Sequence, residues 1–466
     1  MPQIIYDQFH LGENQDNPLV ASTNTLTHML GCSPHEQLGL VGSGPAAFKS
    51  TSLTVVPDVI VPYSEAKVFM FFSGNIYKYN ITLDVLTLIG STSGAVTDAI
   101  YFDGYVYFSR SAANALGRMD IATETITPAF AVFSITTPTP KFHPMFVLAG
   151  DLYIGNEYYV ALVDSTHTFV GNALDIPKDY RVTALTNIST DLLIGTENIL
   201  EFPSTKLFRW NTWSETFSAE STVDIQTISH FLQDNGDLYF VGMNPNTKIF
   251  AYSEPYPVEM TMVPATNDSP LQRNNFPMFT PNHTARWRGR VWFSLYGSGS
   301  AYYPALYSFH ANKKGLPNIV SAEILPPDFN IVSTVTTVAS VGSYLLFGYT
   351  SPSSSGVGIV HASNGGPVHT QSTLITPYIT LERQSQKDFT ITVPYRGLYT
   401  SQTMTIESDV NYSGSFSGSP VRHDADRCIF YTDVRAASAN AIRFNVTITN
   451  ATTVPLFVEK IIIDFP

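Results

Sequence analysis

Cysteine is nearly missing from this chain: there are two, Cys32 and Cys428, in 466 residues. One distant pair is no disulfide framework, so two free thiols suited to a reducing cytoplasm are expected. Charge is also scarce, at 14% of residues, and what there is sums to −13. General phosphate binding needs a clustered Lys/Arg footprint, and this composition argues against one. No apolar run approaches 18 residues, so membrane insertion is not expected. The start, MPQIIYDQFHLG, lacks the basic residues and apolar core of a secretory signal. Sequons at Asn80, Asn187, Asn282, Asn411, Asn445 and Asn450 are therefore read as chance in a Ser/Thr-rich chain. Finally, no stretch carries a sustained apolar stripe at helical spacing.

What is abundant is Thr, Ser, Val, Tyr and Phe, with 29 Gly and 30 Pro. These residues suit pleated sheets and tight turns, so the chain reads as all-β. The size exceeds one ordinary compact core unless the core repeats. A repeat is present. The stretch HTARWRGRVWFSLYG (283–297) contains a turn, a polar residue, then Val291, Trp292 and Phe293. Related strings follow Gly104 (DGYVYFSR), Gly150 (AGDLYIGN) and Gly236 (NGDLYFVG). Looser copies lie at Thr190 (TDLLIGTE) and Gly342 (VGSYLLFG), and a first unit at Ala66–Tyr79. Short apolar runs precede the copies and most are followed by another strand, at a spacing of roughly 40 to 53 residues. That is the length of a four-stranded propeller blade. The pattern predicts a β-propeller of six or seven blades over 46–371. Trp292 then takes the place of Tyr107, Tyr153 and Tyr239 as a packing residue between blades, and Arg288 and Arg290 lie at an exposed strand end.

From Leu374 the repeat gives way to longer strands separated by Gly/Ser/Asn turns, which predicts a small antiparallel β-sandwich over 372–466. Residues 1–45 have little periodicity but hold apolar residues such as Ile4, Ile5, Phe9 and Met29. They are expected as an extended arm lying on another chain or on the sandwich of this one, with a short helix over Asn24–Leu30 as one option.

Catalytic signals are weak. Asp98, Asp103, Glu157, Asp191 and Glu197 are the acids to weigh as a paired-carboxylate site, but no motif sets any two of them. GSTSG (Gly90–Gly94) and GSGSA (Gly297–Ala301) do not match a nucleophile elbow in letters or context. His28 with His35, and His361 with His369, have no third ligand at metal spacing. Sialidase-type turns, kelch-type Gly-Gly repeats and Trp-Asp blade endings are missing. The expectation is a non-enzyme with no catalytic, cofactor-binding or metal-binding residues and no cofactor.

Three segments resemble a known family. FHLGENQDNPLV, followed by NTLTHMLGCSPHEQLGLVGSGP (Asn24–Pro45), is similar to the N-terminal segment common in tailed-bacteriophage virion proteins. Gly12 and Asn14 fit its F-x-G-G-x-N start, Leu11 replaces one glycine, and Gly42-Ser43-Gly44-Pro45 stands in for its closing G…R-P-G string. ARWRGRVWFS (Ala285–Ser294) resembles a W-x-G-R-[LV]-[WF] blade strand of such propellers, and Ile375–Val393 resembles their sandwich entry. The resemblance implies a structural subunit of a phage tail, in a nozzle, collar or tail-tip ring, made in the host cytoplasm and housed in the virion. Other virion proteins would be its partners, and a symmetric homo-oligomer its state. An acidic ring would let DNA pass without specific binding. The alternative is a receptor-binding module for a host-surface glycan or protein.

Overall fold

A computed structural model describes residues 3–6, 28–34, 41–110, 113–135, 143–200, 204–234, 236–244, 246–254, 256–262, 277–278, 284–294, 296–297, 305–310, 319–328, 334–361, 371–376, 379–385, 388–396, 402–410, 417–418, 421–424, 427–433, 439–450 and 456–464. Among the described residues there are strands and turns and no α-helix.

Seven four-stranded antiparallel blades follow one another along the chain, with blades 4 and 5 bridged into one sheet at Glu197–Thr227. Blades 1 to 3 span Val59–Ser91, Val96–Val132 and Met145–Asp175. Blades 4 and 5 span Tyr180–Val223 and Thr227–Met262, and blade 6 runs from Thr284 to Ile324. Blade 7 takes three strands from Thr334–His361 and its outer strand, Phe48–Lys49, from near the other end of the chain. The innermost strand of each blade lies beside that of the next, and that of blade 7 lies beside that of blade 1. The ring is closed, which leaves only short outer edges unpaired.

Hairpin chemistry sets the blades. In blades 2, 3 and 6 the turn between first and second strands has both central residues at positive φ, as in Asp103-Gly104 (43° and 81°) and Arg288-Gly289 (51° and 75°). That is the primed turn whose twist matches the flanking strands. The third residue of each second strand then faces the following blade. Phe69, Tyr107, Tyr153, Leu193, Tyr239, Trp292 and Leu346 each belong to a different apolar cluster, one for each of the seven junctions. Trp292, Tyr107, Tyr153 and Tyr239 are all buried. The second strands are apolar on both faces because a blade is covered on both faces.

The sandwich has its own core around Leu374, Ile391, Ile406, Phe444, Ile448 and Ile463. The first residues are part of it. Gln3–Tyr6 pairs with Ile461–Asp464, His28–Leu30 with Gln371–Ile375, and Val41–Ser43 with Phe457–Val458. Tyr6, Met29, Cys32 and Val41 sit in the same core. Of the helix considered over Asn24–Leu30, the stretch 28–30 is a strand, and 24–27 lies outside the described residues. Leu30 also pairs in parallel with Ala322 on the outer strand of blade 6, so one sheet runs from blade 6 into the sandwich.

Arg290 is not at an exposed strand end, as its place beside the turn suggested. Its Nη1 lies 3.0 Å from Oε2 of Glu323, which is fully buried. Burial pushes the Glu323 carboxyl up, against the pull of Arg290. Ser308 donates to the same carboxylate, and Arg290 also reaches the Ser33 hydroxyl. The pair stands where blade 6 meets the sandwich.

Candidate functional site

Alternating strand direction gives the ring two faces. The hairpin face carries the turns between first and second strands and between third and fourth. The linker face carries the turns between second and third strands and the links from blade to blade. The chemistry-bearing residues singled out in the sequence divide between them.

On the linker face, Arg181, near the start of the inner strand of blade 4, is held between two acids. Its Nε lies 2.8 Å from Oε2 of Glu157, in the blade 3 turn, and its Nη1 lies 3.2 Å from Oε2 of Glu197. Burial raises the Glu197 carboxyl, and Arg181 opposes it. The backbone adds to the tie, since Val182 N donates to Glu157 O at 2.8 Å. The structure therefore brings together two of the five acids, with a guanidinium between them. One guanidinium balances only one of the two carboxylates but orients both, and through Glu157 it ties blade 3 to blade 4.

The other three acids lie apart. Asp98 is buried on the inner strand of blade 2 and accepts from Met145 N of blade 3 at 3.0 Å and from Ala99 N at 2.8 Å. Asp103 sits on a hairpin turn, 3.6 Å from Nε2 of His167. Asp191 accepts from Arg209 Nε at 2.7 Å. In the GSTSG stretch Thr92 donates to Gly94 O at 2.6 Å, and the chain passes from strand to strand with no following helix. Of GSGSA, 298–301 lies outside the described residues. His361 packs on the Tyr344 ring at 4.7 Å, while the side chains of His28, His35 and His369 lie outside the described residues. Among the described residues no three His, Cys, Asp or Glu side chains converge as metal ligands. Cys32 is buried, with its Sγ donating to Leu30 O at 3.5 Å, and the Cys428 side chain lies outside the described residues.

The link into blade 3 holds a feature that the sequence did not suggest. His143 is fully buried, stacks on Phe133 at 4.1 Å, and shares its Nδ1 with the Gly155 carbonyl at 2.9 Å. Burial lowers its pKa to about 4, against the opposing effect of that hydrogen bond. The imidazole is therefore neutral at pH 7, with Nδ1–H donating.

The hairpin face of blades 4 and 5 is different in kind. Trp213 is 92% exposed, while the other tryptophans, Trp210, Trp287 and Trp292, are buried. It does not dangle. The Asn211 side-chain oxygen accepts from the backbone of Trp213 (3.1 Å) and Ser214 (3.0 Å), and Trp210 Nε1 donates to Ser214 O at 2.7 Å. The corresponding turn of blade 5 carries Tyr256, 75% exposed. Arg209 joins the two turns, with Nη1 3.0 Å from Glu254 Oε1, which also accepts from Tyr252 OH at 2.6 Å. In the sequence, NTWSET (211–216) reads as an ordinary polar turn after the strand ending at Trp210. Its one signal is a tryptophan out of register with the strands.

No family of proteins matches this sequence, and neither does any curated protein. Solved structures are similar in shape. The structure of U3-55K aligns with 68% of this chain and all of its own length, at 12% identity and a TM-score of 0.50. The WD40 repeats of RRP9 align with 69% of this chain and 99% of their own length, at 11% identity and 0.48. The β-propeller domain of Cps50 (Swd1) from Myceliophteria thermophila aligns with 68% of this chain and 99% of its own, at 11% identity and 0.45. At these identities the likeness concerns fold alone. Strand order and ring closure, with the likeness to U3-55K, make the chain an all-β protein built on a seven-bladed β-propeller joined to a β-sandwich.

Proposed function

We propose that the chain is a structural subunit of a tailed-phage virion, a rigid spacer or ring component of a nozzle, collar or tail tip rather than an enzyme. The observation that carries this reading is the way the two parts are joined. A single sheet passes from blade 6 through Leu30 into the sandwich, and a buried ion pair stands at the crossing. Such a joint would resist relative motion of the two parts more than a plain linker would. Two of the acids weighed for a glycan-processing site, Asp98 and Glu157, are engaged in ties between blades, and Glu197 shares Arg181 within blade 4. The three resembling sequence segments supply the virion. Repeated copies around a symmetry axis would provide closed contacts with neighbouring virion proteins.

Cryo-electron microscopy of the assembled particle tests this directly. The chain should appear at fixed copy number in the tail, and the purified chain should bind duplex DNA no better than an acidic control. Absence from purified particles would refute the assignment. Hydrolysis of a host glycan that is lost in Glu157→Gln or Glu197→Gln would replace it with an enzyme. Saturable binding to host cells by the isolated chain would replace it with a receptor-binding module.

A further inference from the structure

The paired turns on the hairpin face of blades 4 and 5 have the properties of a recognition surface. Trp213 and Tyr256 stand four and two residues beyond Arg209 and Glu254, the two ends of one ion pair that crosses between the blades. Both rings are exposed, and both turns are braced by hydrogen bonds within the propeller. A pre-ordered aromatic ring costs little further entropy when a partner covers it, which is why Trp and Tyr dominate binding hot spots.

The charges around the rings say what kind of partner fits. Asp191, Glu215, Asp237 and Glu254 lie on the hairpin-face ends or turns of these two blades; Arg209, the one cation among the described residues there, is shared by Asp191 and Glu254, which leaves Glu215 and Asp237 to a partner. Glu215 and Asp237 are exposed. The local field is negative, and the ring faces are themselves attractive to cations. Lysine and arginine side chains satisfy both features, with a carboxylate for the charge and an aromatic face for the stem or guanidinium plane.

We propose that the Trp213 and Tyr256 turns form a docking site for a lysine- or arginine-bearing segment of a partner protein. The proposal does not depend on where the chain is housed, and it stands or falls separately from the virion reading.

The test uses the full chain and a labelled octapeptide of alternating arginine and tyrosine, with an alternating glutamate and tyrosine peptide as control. Because the other three tryptophans are buried, acrylamide quenching of intrinsic fluorescence reports on Trp213. The basic peptide should protect that fluorescence and the acidic one should not. Anisotropy of the labelled basic peptide should show binding weakened about tenfold by Trp213→Ala, and weakened in Glu215→Gln/Asp237→Asn and in high salt. These surface variants should keep the parent melting temperature. Equal behaviour of the two peptides, or binding unchanged by Trp213→Ala, would overturn the proposal. So would protection by a neutral oligosaccharide such as chitohexaose with none by the basic peptide, since the turns would then be a sugar-stacking platform.

Discussion

Removing the carboxylate of Asp84 should loosen the ring at its seam. The strand that completes blade 7, Phe48–Lys49, leads directly into Ser50-Thr51-Ser52, and these three residues converge on Asp84 in the outer turn of blade 1. Its two oxygens accept from Ser50 Oγ (2.6 Å), Thr51 N (2.9 Å), Thr51 Oγ1 (2.5 Å), Ser52 Oγ (2.8 Å) and Tyr79 OH (2.8 Å). Not all of these count equally in Asp84→Ala. Thr51 is exposed and its donors will bond to water instead. Ser50 and Tyr79 are buried, and each loses its carboxylate acceptor. Two buried hydroxyls stranded at about 1–3 kcal/mol each would cost about 2–6 kcal/mol. The 3.3 Å contact between Tyr79 OH and Ser50 Oγ lets them satisfy each other in part, so about 3 kcal/mol is expected. Burial alone would raise the Asp84 carboxyl, but side-chain hydrogen bonds from Ser50, Thr51, Tyr79 and Ser52 outweigh it and hold the group well below the usual carboxylate range. A carboxyl with a depressed folded pKa stabilises above its unfolded value, and that contribution is lost as pH falls through the folded one. The Asp84→Ala penalty should therefore be full above about pH 5 and shrink below about pH 4. Urea denaturation gives the size, and hydrogen exchange gives the place: Ser50 N, which bonds to Val357 O at 3.1 Å, should lose protection before the inner strands of blades 3 to 5. A loss below about 0.5 kcal/mol, or exchange that rises evenly around the ring, would refute the seam argument.

Other outcomes follow from single residues. Trp292→Ala should cost about 3–5 kcal/mol in chemical denaturation, because the ring is buried between blades 6 and 7 and a cavity would remain. Arg290→Ala should cost about 3–5 kcal/mol by leaving the buried Glu323 carboxylate without its cation; a near-neutral result would show that water reaches the joint. His143 has a folded pKa lowered to about 4, so the unfolded chain takes up its proton first as pH falls. Its contribution is full above about pH 6.5 and declines by roughly 3 kcal/mol towards pH 4, and NMR titration of the imidazole should find its midpoint well below the ordinary histidine value.

The blades were legible because each repeats the same local physics: a tight turn, then a strand apolar on both faces, with Trp292 in step with Tyr107, Tyr153 and Tyr239. Seven copies of that string are seven blades. The seam was not legible. Phe48 and Lys49 form a strand of two residues, too short for any periodicity, and only the free edge at Gly358 and Ile359 makes them one. The same holds for Gln3–Tyr6 and Val41–Ser43, whose apolar residues signalled burial but not the partner. Arg290 was misjudged because a residue beside a hairpin turn is ordinarily wet, and the sandwich that covers it comes from distant sequence. Trp213 gave no signal beyond its type and its place out of register with the strands, since exposure is decided by what lies around a turn.

A ring sealed by residue 48 on residue 359 has to wait for its own synthesis. At ribosomal rates of about 5–20 residues per second, the sealing strand leaves the ribosome roughly 15–60 seconds before the edge it completes. During that interval blade 1 has no blade 7 beside it, and Val68, Met70 and Tyr79, which later share a core with Leu346 and Ile359, face solvent. The sandwich waits longer, because Ile4 pairs with Ile463. Yield in the cell is therefore set by how well an open arc of blades avoids other open arcs, a hazard that rises with expression rate and temperature and is invisible in the stability of the finished ring.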